Sequence, residues 1–433
     1  MTTLDHTLTG AAPADLVGAL RDHRPCLLLH DVRLDRTGPA EPRHPAATEP
    51  LVRHLHRLGP RPRGTADLVD DLEGAGLTGH GGAHVPTAAK WRAALRSRGP
   101  LTVAANGAES EPLSAKDAAL VQQRPHLVLD GLALAAEALG AHRAVMWLHA
   151  DDELTVQAVR TALAERAASR RIEPLIEIAS RPGHYLAGES SAIARALNGG
   201  PALPEARRRH DGAARPRTLV HNVETLARAA LIARGHPPLR TRLLTVLTAL
   251  HRQVLEVDEG TPAGDIFART GWLTSDAPQA VLLGGFGGMW APWSAVIDGT
   301  LDEPALRAAG LTAGAGIVAP LARDACGIAQ TAQIAGYLAG MSAHQCGPCL
   351  FGLPALARSM RLLADGHPPR GERARLLADL EAVSGRGACH HPDGAVRLIA
   401  SALTTFASDV AEHLHGRPCV ASQRFPFPVP GFA

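Results

Sequence analysis

The sequence predicts an α/β fold: a parallel-sheet domain, then a small β-rich domain, then a C-terminal helical bundle. Three observations carry this expectation. Apolar runs of strand length, LTVAA (Leu101–Ala105) and AVMWLHA (Ala144–Ala150), alternate with PHLVLDGLALAAEALGA (Pro125–Ala141) and ELTVQAVRTALAERAA (Glu153–Ala168), which have helical periodicity. Such alternation builds a parallel sheet with helices on its faces. Between about residues 238 and 312, β-branched residues and the run AVLLGGFGGMWAP (Ala280–Pro292) mark a β-rich unit. After residue 318, four amphipathic segments with short connections read as a bundle.

In chain order, residues 1–65 combine the apolar piece CLLLHDVRL with a Pro- and Arg-rich stretch, and read as an arm or linker. Residues 66–235 form the α/β domain, 238–312 the β-rich domain, 318–415 the helices and 416–433 a tail. Gly284, Gly285, Gly287 and Gly288 form a glycine cluster that reads as a tight turn rather than a phosphate loop.

Composition narrows the function. The chain has 433 residues, 45% of them hydrophobic, enough to bury real cores. Aromatic residues are only 3%, which leaves few rings to stack on bases, and the net charge is +2, so nucleic acid is not an expected partner. The N-terminus lacks the charged start and apolar stretch of a signal peptide. No run is long and apolar enough for a membrane span, so direct membrane insertion is not expected and a cytoplasmic location is. Of the six cysteines, Cys26, Cys326, Cys346, Cys349, Cys389 and Cys419, a reducing compartment makes metal or redox chemistry the first reading.

Of 44 basic residues only Lys90 and Lys116 are lysines, the rest being Arg. A compact ammonium on a thin stem fits where a broad guanidinium does not, as around a crowded phosphate or carboxylate. Both lysines lie in ligand-like stretches. Lys90 closes GLTGHGGAHVPTAAKW (Gly76–Trp91), a glycine loop ahead of a helix, where backbone N–H groups cradle phosphate. Lys116 sits in NGAESEPLSAKD, where Asn106, Glu109 and Glu111 follow a strand at the edge at which α/β folds bind ligands. Two further segments, RPGHYLAGESSAI (Arg181–Ile193) and TLVHNVETLA (Thr218–Ala227), repeat the theme of polar residues opening a helix.

In this order and spacing the four segments resemble the NADH-binding flavoprotein subunit of respiratory complex I and of related NAD-dependent hydrogenases and formate dehydrogenases. The family motifs read GxxGRGGAGFPTGxKW, NADExEPGTxKD, GAYxxGEExAL and VNNVETLA. NGAESEP also resembles the C subunit of the Rnf complex. The resemblance runs from about residue 70 to 415. It implies an FMN/NADH-binding domain, a β-grasp-like (SLBB) domain and an iron–sulfur helical bundle.

Carried over by position, the FMN site falls on Gly79, Gly81, Gly82, Lys90, Asn106, Glu109, Tyr185, Gly188, Glu189, Asn222 and Thr225. Glu109 and Glu111 are the implied catalytic carboxylates, with Glu111 near the nicotinamide. The departures are His80 for Arg, His84 and Val85 for Gly and a stacking Phe, Ala108 for Asp, Ser190 for Glu and His221 for Asn. Val85 and Arg207 stand where rings clamp the dinucleotide, so weaker NADH binding is expected.

The cluster motif of the family is SCGxCxPCREG with a fourth Cys downstream. Here SAHQCGPCLFG supplies Cys346 and Cys349, and Cys389 follows, but the first ligand is Ala343. Three thiolates bind three irons of a cubane, so the resemblance implies a 4Fe-4S or 3Fe-4S centre with an incomplete ligand set. His344 or Cys326 are the candidates for the missing ligand, and Cys26 and Cys419 read as structural. The implied function is electron transfer from NADH through FMN to the cluster, and on to other electron-transfer subunits, a ferredoxin-like protein or a quinone pathway. The alternatives are a related dehydrogenase with another donor, or a cofactor-poor scaffold.

Overall fold

A computed structural model describes residues 28–29, 32–35, 48–169, 173–181, 183–205, 217–273, 276–419 and 426–431. Cys26, Arg207 and most of the N-terminal arm lie outside them.

Two sheets organise the chain. The first is all parallel, with strands β2 (Leu101–Asn106), β3 (Arg143–His149), β4 (Ile176–Arg181) and β5 (Arg217–Asn222) in the order β4-β3-β2-β5. The middles of its central strands, Val103–Ala105 and Ala144–Leu148, are apolar because both faces are covered. Val103, Ala105, Met146 and Leu148 join the large core under the helices, whereas Ala104, Trp147 and Val220 pack on the opposite face with Ile193 and Ala196. The covering helices include α5 (Pro125–Ala138) and α8 (Val223–Ile232). They approach so closely that a Cβ on Gly131 of α5 would lie 2.0 Å from the Leu226 carbonyl oxygen of α8, so only glycine fits there.

The second sheet is mixed and has six strands: β1 (Val32–Asp35), β6 (Thr241–Leu247), β7 (His251–Asp258), β8 (Ala280–Leu283), β9 (Met289–Pro292) and β10 (Ile317–Leu321), in the order β1-β7-β6-β10-β8-β9. The arm therefore donates an edge strand, antiparallel to β7. It also forms helix α1 (Leu51–Leu58), a short amphipathic element that the Pro-rich composition around it conceals. Its buried His54 Nε2 is 2.8 Å from Asp130 Oδ2, and Asp130 also accepts from Arg166 at 2.8 Å. The glycine cluster is a turn, with Gly284 and Gly285 at φ +81° and +79°.

The C-terminal helices are α11 (Gly327–Gly340), α12 (Leu353–Ala364), α13 (Glu372–Val383), α14 (His391–Thr405) and α15 (Ala407–Leu414), preceded at α12 by one π-helical turn, Pro348–Gly352. They share one core with β8, β9 and β10 through Leu282, Trp290, Ala319, Ile334, Leu356 and Leu398. Among the described residues no helix is long and apolar enough to cross a membrane.

Lys116 begins α4 (Lys116–Gln123) and is 2% exposed. A cation at a helix N-terminus opposes the helix dipole and, when buried, also loses its hydration. Two carboxylates offset both costs: Asp117 Oδ1 at 2.6 Å and Glu224 Oε2 at 3.2 Å. They hold the ammonium protonated against its burial. Replacing Lys116 by Met leaves two buried carboxylates facing each other, and the expected loss is about 3–5 kcal/mol, read from urea unfolding midpoints. A loss within about 0.5 kcal/mol, as for an ordinary surface substitution, would refute this account.

Candidate functional site

The expected ligand residues gather at the carboxyl end of the parallel sheet. Asn106 and Asn222 are register partners at the ends of β2 and β5. Asn106 Oδ1 accepts from the Ala108 amide at 3.1 Å, and Nδ2 donates to the Gly188 carbonyl at 2.9 Å, tying the loop after β2 to the Tyr185–Glu189 segment. The Gly188 amide donates back to Ser110 Oγ at 3.0 Å. A Cβ on Gly188 would sit 2.5 Å from that oxygen, which explains the glycine. Glu189 caps α7 (Ser190–Leu197), accepting from the Ser191 and Ala192 amides at 2.7 and 3.1 Å. Asn222 caps α8 through the Glu224 amide at 2.9 Å and donates to Asp117 Oδ2 at 2.6 Å.

Against this edge stands the glycine loop. The Gly79 amide donates to the Val85 carbonyl at 2.9 Å, and Thr78 and Pro86 bridge its two ends. The His80 amide donates to Thr225 Oγ1 at 2.9 Å, which pins the loop onto α8. Gly81 is exposed, and a Cβ there would meet only the Asn222 side chain, at 3.6 Å. Gly82 has φ +96° and lies against the backbone of Gly314 and Ala315. Lys90, on α3 (Thr87–Arg96), donates from Nζ to the Val220 carbonyl at 2.7 Å, and burial lowers its pKa. Trp91 Nε1 donates to His221 Nε2 at 2.8 Å, locking α3 across β5.

Charge inside the site is arranged around Lys116. Glu224 accepts from Arg228 Nη2 at 2.9 Å and lies 3.8 Å from His80 Nε2. Burial opposes its ionisation, but the neighbouring His80, Lys116 and Arg228 bring its pKa down to about 2. Glu109 accepts from Ser114 Oγ and, at 3.2 Å, from the Asp117 amide. Burial, then the charge of Asp117, raise its pKa to about 7. Burial lowers His80 to about 3, and burial with nearby Lys90 takes His221 to about 3, so both rings are neutral.

Glu111 faces elsewhere. Its carboxylate accepts from Tyr185 Oη at 2.5 Å and from the Phe286 and Gly287 amides at 2.8 and 3.0 Å. Tyr185 in turn packs edge-on to Tyr337 of α11 and against His391 of α14, with ring centroids 5.8 and 5.4 Å apart. Glu111 and Tyr185 therefore join the parallel-sheet unit to the glycine turn of the second sheet and to the C-terminal helices.

The three spaced cysteines converge between those helices. Cys349 lies within electrostatic reach of Cys346 and Cys389, and Cys389 of Cys346 and of Glu189, the cap of α7. Ala343, at the position of the family's first cysteine, has no side-chain donor. His344 adopts φ +50°, with Nδ1 3.3 Å from Ser342 Oγ, and lies within electrostatic reach of His184. Cys326 is not with them. It caps the start of α11, whereas the cysteine loop follows its end, and a 14-residue helix spans about 20 Å. As a ligand for the missing cluster position it is therefore excluded.

A family model described as the Nuo51 FMN-binding domain matches residues 72–230, and one described as the NADH-ubiquinone oxidoreductase-F iron-sulfur binding region matches residues 329–413. In both regions the chain resembles this flavoprotein family. It is 25% identical over 379 residues to the second F-type subunit of NADH-quinone oxidoreductase from Rhizobium meliloti (strain 1021), covering 82% of this chain and 90% of that one. To the HndC subunit of the NADP-reducing hydrogenase of Solidesulfovibrio fructosivorans it is 25% identical over 383 residues, covering 82% and 78%. A crystal structure of an NAD+-reducing [NiFe]-hydrogenase in the H2-reduced state superposes with a TM-score of 0.73 at 26% identity, covering 85% of this chain and 67% of that chain.

The residues present fit the two groups that the family matches name. The backbone of Gly81 and Gly82 is bare, the buried Thr87 Oγ1 has no hydrogen-bond partner, and Lys90 supplies an ammonium: donors suited to a flavin phosphate. The three thiols fit three corners of a cluster, with Ala343 vacating the fourth. Sequence reasoning left Asp117, Glu224 and His184 out of the site, although all three lie within quoted motifs; the available signal was their place beside strand ends.

The neutral histidines make the site acid-sensitive. A folded pKa near 3 lies below the ordinary 6.5, so the unfolded chain binds more protons between these values. His221 therefore contributes stability that is present above about pH 6.5 and is lost as pH falls toward 3. His221→Asn removes that proton linkage, and its urea midpoint should fall less than the wild type's between pH 7 and pH 4.5. Equal acid loss in both proteins would count against the assignment.

Proposed function

We propose that this chain is the electron-input subunit of a larger oxidoreductase, oxidising NADH through FMN and delivering electrons through an iron–sulfur cluster. The observation that carries it is the meeting of two sites in one chain. Glu189, which caps the helix opened by the ligand loop, lies within electrostatic reach of the cluster cysteine Cys389.

When bound, FMN supplies the step between a two-electron hydride donor and one-electron acceptors. The protein's part is binding and electrostatics. Lys90 and the Gly81 and Gly82 amides would hold the phosphate, with Lys90 turning from the Val220 carbonyl to do so. Asn106 bonded to Gly188, Asn222 to Glu224 and Thr225 to His80 set the shape of the cradle. Glu109, with its pKa near 7, is the carboxylate that this reading leaves in the flavin site. Glu111 acts as a positioning residue, holding Tyr185 and the glycine turn in place. Cys346, Cys349 and Cys389 ligate the cluster, and His344, held beside the vacant Ala343 position, is the candidate fourth ligand. The six-stranded sheet corresponds to the β-grasp-like domain, and the C-terminal helices to the cluster-binding bundle. The electron acceptor is another subunit or a ferredoxin-like protein, and the chain works in the cytoplasm.

Two experiments test this. Purified protein should release FMN on acid treatment, and Lys90→Ala should weaken FMN binding by about 1.5–3 kcal/mol, roughly ten- to a hundredfold. Folded protein that releases no flavin, and whose melting temperature added FMN does not raise, would leave the scaffold reading in its place. After anaerobic reconstitution, iron counting and EPR should find a cluster that converts readily to a three-iron form, and more readily in His344→Ala. Protein that holds no iron defeats the cluster assignment, and an air-stable four-iron centre indifferent to His344→Ala defeats that ligand.

A further inference from the structure

Far from the three converging thiols, a second group of donors is assembled where α15 passes the start of α11. His413, on α15, is fully buried. Its Nδ1 is 2.9 Å from the Leu363 carbonyl, which makes Nδ1 the protonated nitrogen and leaves the Nε2 lone pair facing two sulfurs. Cys326 Sγ lies 3.6 Å from Nε2, and Cys419 Sγ 3.2 Å. All three donor atoms lie within 4.8 Å of one another. A tetrahedral ion with Zn–S about 2.3 Å and Zn–N about 2.0–2.1 Å needs N···S edges of about 3.5 Å. The two measured edges bracket that length. A backbone carbonyl on the far nitrogen is also the usual way a metal-binding imidazole is oriented.

We infer that Cys326, His413 and Cys419 bind one zinc ion. Two thiol protons leave on binding, and the Cys419 amide, now 3.1 Å from His413 Nε2, gives up that lone pair to the metal. Water, or Asp409 one turn earlier on the same helix, fills the fourth position; the Asp409 charge reaches both His413 and Cys419. The Cys326 sulfur is already placed by the Ala329 amide at 3.4 Å. The ion is a staple. It ties the segment leaving α15 to the start of α11, and beyond it Phe427 stacks on Trp290 and bonds through its amide to Gln330 Oε1 at 3.0 Å. The site is separate from the cluster, and the inference does not depend on the electron-transfer reading.

Metal analysis and cobalt spectroscopy of the full-length chain test it. Wild-type protein stripped of cluster iron should retain one zinc per chain. In a Cys346→Ser/Cys349→Ser/Cys389→Ser background, one equivalent of cobalt should give the charge-transfer and visible bands of a tetrahedral cobalt thiolate, lost on adding one equivalent of zinc. Adding Cys419→Ser, at a half-buried position outside the helices, should abolish the charge-transfer change and weaken binding by about a hundredfold or more, since even outer contacts to such ligands are worth 10–100-fold. Zinc should also raise the melting temperature and protect the C-terminal segment from proteolysis. Wild-type protein that retains no zinc, cobalt bands unchanged by Cys419→Ser, or a Cys326–Cys419 disulfide in anaerobically purified protein would overturn the proposal.

Discussion

The arrangement of this protein depends on one buried cation. The Lys116 ammonium holds Asp117 and Glu224 together, and each of those carboxylates then places something else. Asp117 receives the Asn222 amide group, which fixes the residue capping α8, and Glu224 takes Arg228 and stands beside His80 of the glycine loop. Loops that follow different strands are thus referred to a single point charge in a medium where a misplaced charge is costly. An Arg in its place would bring a planar fork and further donors into a space already filled.

A second constraint joins the parts. Glu111 satisfies two backbone amides of the glycine turn and the hydroxyl of Tyr185, whose ring then packs on two C-terminal helices. A Cβ on Gly285 would come within 2.4 Å of the Glu111 carboxylate, so the turn is glycine because a carboxylate arrives there. This contact joins the loop after β2 to the glycine turn and the C-terminal helices.

Much of the parallel sheet was legible. Helix Glu153–Ala168 has the bounds its periodicity implied, and the strand expected over Leu101–Ala105 runs one residue further, to Asn106, because each buries an unambiguous set of apolar residues. Strands β4 and β5 were not read as strands, since IEIASR and RTLVHN carry polar residues that only their neighbours in the sheet justify. Helix α1 was lost in a Pro-rich stretch for the same reason: it is held by His54 and Asp130, which are 76 residues apart.

By itself the sequence determined the chemistry available: two lysines kept among many arginines, glycine loops beside strand ends, and three cysteines where four are usual. Only the tertiary structure decided which donors meet. It bound Lys90 to the Val220 carbonyl and put Lys116 in the interior, turned Glu111 toward Tyr185 and the glycine turn, and carried Cys326 away from Cys346 to the side of His413 and Cys419. Periodicity is local and survives in a string of letters, whereas a contact between residues 87 positions apart depends on how whole helices pack, and no local pattern records it.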